Sequence, residues 1–93
     1  MVLNAYCIYD TKAKGYLNPW FMPNDDMALR AFTDHSNDLN TPIGQHPEDY
    51  ILYRIGTYDN DTAELTALSP VNLAKASQVI RDYPALQLFE KEG

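Results

Sequence analysis

The stretch DYILYRIGTYD, residues 49 to 59, constrains the fold more than any other part of the chain. Ile51, Tyr53 and Ile55 alternate with Tyr50, Leu52 and Arg54. A repeat of two is the mark of a strand, because successive side chains of a pleated backbone point to opposite faces. A strand needs a neighbour, and TAELTAL follows after the run Asp59-Asn60-Asp61. That run admits two readings, a calcium loop or a turn. A helix-loop-helix calcium site starting at Asp59 needs glycine at its sixth position and a bidentate acid at its twelfth. Those positions hold Glu64 and Pro70, and both flanks read as strand. Asp and Asn are common turn formers. The stretch reads as a turn, and the two strands as a hairpin.

The remaining elements fall around this hairpin. VLNAYCIYD reads as a strand with both faces partly apolar, and TKAKG as a turn ending in Gly15. YLNPWFMP is extended, and Pro19 assigns it to an edge because proline lacks a backbone donor. NDDMALRAFTDHSND is the clearest helix. Asn24 caps it, Asp25 and Asp26 face the unpaired donors of its first turn, and Ala28, Ala31, Phe32 and His35 form its buried stripe. LNTPIGQHPE reads as a loop. Ser69 followed by Pro70 is a second helix-start signal, which predicts a helix ending at Pro84 with Leu73, Ala76, Val79, Ile80 and Tyr83 inward. The expected fold is α+β: a small antiparallel sheet of about four strands in the order β-β-α-β-β-α, with helices on one face. Residues 1–93 read as one domain, and 84–93 as a tail that either frays or docks through Leu86, Leu88 and Phe89.

Charge narrows the function. The chain carries a net charge of −6, most of it between residues 24 and 49, where Arg30 alone faces six acids. No basic stripe exists to displace counterions from a nucleic-acid backbone, so tight duplex binding is not expected. The sequence holds no nucleophile elbow, metalloprotease helix, phosphate loop or dinucleotide fingerprint. His35 and His46 lack a partner at metal-ligand spacing, and the single Cys7 sits in an apolar stretch where packing is its simplest role. Asp25 and Asp26 are explained by capping. The expectation is a protein without catalytic residues, metal or cofactor. No apolar run is long enough to span a bilayer, and the N-terminus lacks the pattern of a signal peptide.

Aromatic residues make up 12% of the chain, and most lie in or beside predicted strands. Rings displayed on a sheet can stack unpaired bases, can anchor a protein interface, or can simply pack against one another. The candidate interaction or nucleic-acid-binding surface is the sheet face carrying Tyr50, Leu52, Arg54 and Tyr58, with Tyr6 and Trp20 nearby. Arg54, a charge within an apolar strand, is expected to face solvent or a partner.

The motifs YCIYDTKAKGY, PNDDMALRAF, PEDYILYRIGTYDNDTAEL and SPVNLAK, in that order, resemble the small nonstructural protein of gokushoviruses, microviruses with single-stranded DNA genomes. The resemblance covers residues 4–80. One departure is Ala63, where the family often has glycine. The resemblance implies a non-enzymatic regulator of viral single-stranded DNA synthesis or packaging, in the cytoplasm of the infected bacterial host. Its implied partners are phage or host replication proteins, or the capsid precursor. Two alternatives stand beside it: a single-stranded DNA binder using the sheet aromatics, and an assembly protein that self-associates through the proline-bearing edge strand.

Overall fold

A computed structural model describes residues 1–81 of the chain. Its backbone is an open antiparallel sheet built on two long central strands, β1 (Val2–Asp10) and β4 (Tyr50–Asp59). The outer side of β1 is shared by β2 (Gly15–Tyr16) and β3 (Trp20–Met22), which flank the Leu17–Pro19 connection. β5 (Glu64–Lys75) closes the other side of β4 as the second edge. The fold is α+β, as the sequence predicts.

Local chemistry sets each boundary. Asp10 Oδ1 accepts from the N–H groups of Lys12 (2.9 Å) and Ala13 (3.1 Å), which curls the chain from β1 into β2. The helix α1 (Asp25–Ser36) starts where Asn24 Oδ1 accepts from Met27 N–H at 2.9 Å. Its buried residues are Ala28, Phe32 and Ser36, while His35, placed inward by the sequence pattern, is exposed. Ser36 tolerates burial because its hydroxyl donates to Phe32 O at 2.7 Å. Within the segment read as a loop, Thr41 Oγ1 caps a single helical turn, α2 (Pro42–Gln45), and a 3-10 turn follows at Pro47–Asp49.

The predicted second helix is not formed. Ser69 and Pro70 lie inside β5, and only a 3-10 turn, Ala76–Gln78, follows. An edge strand tolerates a missing donor, and β5 is irregular here: Gly56 pairs with Ala67 and Arg54 with Val71, leaving three residues opposite Ile55 alone. Tyr83, Pro84 and the tail reading of Leu86, Leu88 and Phe89 lie outside the described residues.

The core gathers Tyr6, Ile8, Tyr50, Leu52 and Ala74 from the sheet, Ala28 and Phe32 from α1, and Ile43 from α2. Each large side chain sealed here contributes about 1.5–3 kcal/mol. Among the described residues the helical layer covers one end of the sheet. At the other end every residue from Asn60 to Asn72 is exposed.

Candidate interaction surface

The six residues expected to share one accessible face divide between two environments. Tyr6 and Leu52 are 0% exposed and Tyr50 is 9% exposed, all within the core under α1. Trp20 sits opposite Tyr6 in the ladder, with ring centroids 5.8 Å apart, and packs against the same core. Arg54 does not face outward as expected. Its guanidinium is ion-paired with Asp25 at the start of α1, where Asp25 also accepts from the Tyr6 hydroxyl at 2.8 Å. A charge on a helix-covered face needs a counter-charge, and the acidic first turn of α1 supplies it. Burial, reinforced by the hydrogen bond to Asp25, pushes the Tyr6 pKa up to about 12. At neutral pH the phenol therefore keeps its proton and ties the helix start to the sheet. These residues hold α1 in place, and Tyr6, Tyr50 and Leu52 offer a partner little or no surface.

Tyr58 lies elsewhere because strict alternation breaks at Ile55. Tyr6 pairs with Arg54 and Ala5 with Gly56, so β1 advances one residue while β4 advances two. One extra residue in a strand carries every later side chain to the opposite face. Beyond Ile55, Tyr58 stands opposite Leu3, on the side of the sheet away from α1. That open side collects Tyr9, Tyr16, Phe21, Tyr53 and Tyr58. Tyr9 and Tyr16 have ring centroids 4.7 Å apart, Tyr16 and Tyr53 5.9 Å, and Phe21 and Tyr58 5.1 Å. Tyr16 is 55% and Phe21 42% exposed. The sequence did carry a signal for the switch in Gly56, since an isolated glycine inside a strand marks a bulge or a close backbone approach. A Cβ there would lie 2.3 Å from the carbonyl oxygen of Thr66.

The electrostatics of the open side are simple. Its paired positions carry one charge, Lys75, which lies 3.6 Å from Glu48. Burial raises the Cys7 pKa, so the thiol stays protonated between the strands. The Tyr16 pKa is also raised, first by desolvation and then by neighbouring Tyr53. Lys12 and Lys14 project from the turn that joins Tyr9 to Tyr16, and among the described residues neither is in an ion pair.

The acidic turn is resolved as a turn. Ala63 N–H donates to Asp59 O at 2.7 Å, and Asp59 Oδ1 accepts from Asp61 N–H at 2.9 Å. That backbone hydrogen bond, with the nearby N-terminal ammonium, lowers the Asp59 pKa. Ala63 takes a left-handed conformation with φ of 64°.

On the helix side lies an open apolar groove of about 690 Å³, lined by Ile8, Leu17, Trp20, Phe32, His35 and Ile43 among others. It separates the C-terminal half of α1 from the β2–β3 edge.

No curated protein and no solved structure shows a significant match to the chain. Residues 3–79 match the family described as Phage ORF5 protein, and the chain belongs to that family.

Proposed function

We propose that this phage protein is a non-enzymatic, gokushovirus-type nonstructural protein that regulates viral single-stranded DNA synthesis or packaging in the host cytoplasm. It does so by binding replication proteins or the capsid precursor. The observation that carries this reading is the open side of the sheet, where five aromatic rings stand together with a single charged position. Clustered aromatic side chains are the usual anchors of protein interfaces, and depletion of charge marks the centre of such patches. The net charge of −6 favours a protein partner over a polyanion. Affinity capture from infected cells, with and without nuclease, tests it. A viral or replication protein should be recovered in both arms, and Tyr16→Ala with Phe21→Ala should lose it while circular dichroism is unchanged. Capture that survives this double substitution defeats the assignment.

A second reading, a single-stranded DNA binder, is favoured by one detail. Lys12 and Lys14 flank the Tyr9–Tyr16 pair, and cations beside stacked rings are the elements of such sites. It predicts nuclease-sensitive capture and oligonucleotide binding that weakens steeply with salt. Absence of any oligonucleotide shift at low salt removes it.

A further inference from the structure

We infer that β5 pairs edge to edge, antiparallel, with β5 of a second copy of this chain, joining two sheets into one. A sheet edge presents a row of backbone N–H and C=O groups that another strand can take. The two edges of this sheet are unequal. β2 and β3 present two and three residues, interrupted at Leu17–Pro19, whereas β5 runs for twelve. The close approach at Gly56 shows which groups of β5 are turned outward. The Thr66 carbonyl points at β4, since its oxygen lies 2.3 Å from where a Gly56 Cβ would stand. Backbone groups alternate in direction along a strand, so the N–H and C=O of Leu65 and Ala67 point away from the sheet. Among the described residues β4 alone pairs with β5, and every residue from Glu64 to Asn72 is exposed.

Charge selects the occupant. Ten consecutive residues, Leu65 to Ala74, carry none. Soluble proteins commonly place charge on such an edge to keep neighbours off. Here Asp59, Asp61 and Glu64 bound the uncharged run at one end, and Lys75, with 39% of its side-chain surface exposed, bounds it at the other. A strand of this kind is complementary to itself about a two-fold axis. Antiparallel pairing brings the acidic end of each copy toward Lys75 of the other, whereas parallel pairing sets acid beside acid. Pro70 removes one donor from the middle of the run and leaves those on either side. The pairing is also self-limiting, because it consumes β5 in both copies and leaves only the short edges outside. This inference does not depend on what the open aromatic side binds. It does extend that side, since Leu65 stands opposite Tyr58 in the ladder and is 66% exposed.

Sedimentation equilibrium of the full chain over a concentration series tests the pairing. The chain should show twice the mass of a single copy at high concentration and return to one copy on dilution. Leu65→Lys, which sets a charge into the uncharged edge, and Ala67→Pro, which removes an outward N–H, should each abolish the dimer with an unchanged circular dichroism spectrum. Should Ala67→Pro unfold the chain, Leu65→Lys decides alone. Tyr16→Ala with Phe21→Ala should leave the dimer intact, because β2 and β3 lie at the opposite edge. Hydrogen exchange should slow at Leu65 and Ala67 as the dimer forms. A single-copy mass at every concentration would overturn the proposal, and so would a dimer that survives Leu65→Lys. Protection of Leu65 and Ala67 that is undiminished in the dilute monomer would overturn it too, because the edge is then taken by its own chain.

Discussion

Ala63 shows how much of a residue's role depends on backbone geometry that its side chain does not announce. It sits in the left-handed region at the end of the β4–β5 turn, where an L side chain crowds the following carbonyl. Glycine, which has no side chain to crowd the carbonyl, would take this φ without strain. Ala63→Gly should raise stability by about 0.5–1 kcal/mol, the relief of crowding being partly offset by the freer unfolded chain. Urea denaturation of the two chains checks this, and a loss of stability would contradict the turn geometry. Arg54 makes the complementary point. Its place in an apolar strand was plain from sequence, but its direction was not. A charge on a sheet may point to water or to a counter-charge on a helix twenty-nine residues earlier in the chain. Local pattern carries no information about that distance.

At the level of elements, the capped helix, the hairpin and the long strand β4 were all legible, because each has a local cause: Asn24 at the cap, the Asp-Asn turn, the period of two. Two features were not. Ser69-Pro70 is a sound helix-start signal in isolation, and pairing with β4 overrode it once the strand became an edge. The face of Tyr58 was lost at Ile55, where one extra residue reverses the alternation and divides the named surface between core and open side. Gly56 is the residue that permits this crossing of strands. Gly56→Ala would drive a methyl group into the Thr66 carbonyl, and the sheet can yield only by separating β4 from β5. A loss of about 1–3 kcal/mol is expected. Thermal melting measures it, with hydrogen exchange faster at Thr57 and Thr66 than elsewhere in the sheet. An unchanged melting temperature would show that the two strands do not approach so closely.

Across the whole molecule, stability is concentrated at one end. The core joins α1 and α2 to the halves of β1 and β4 that carry Ile8 and Leu52, and among the described residues nothing covers the far end of the sheet, from Asn60 to Asn72. Leu52→Ala should therefore cost about 2–5 kcal/mol. Leu68→Ala, at a residue 50% exposed, should fall within about 0.5 kcal/mol of the parent. Comparable losses from both substitutions would mean that the far end is packed against something in solution.

This lopsided construction bears on how such a protein can change over time. Where one end holds the buried core and the other keeps its side chains exposed, side-chain substitutions are tolerated more readily at the second end than at the first. A phage protein built this way could vary its side chains over residues 60–72 while the core beneath α1 stayed unchanged.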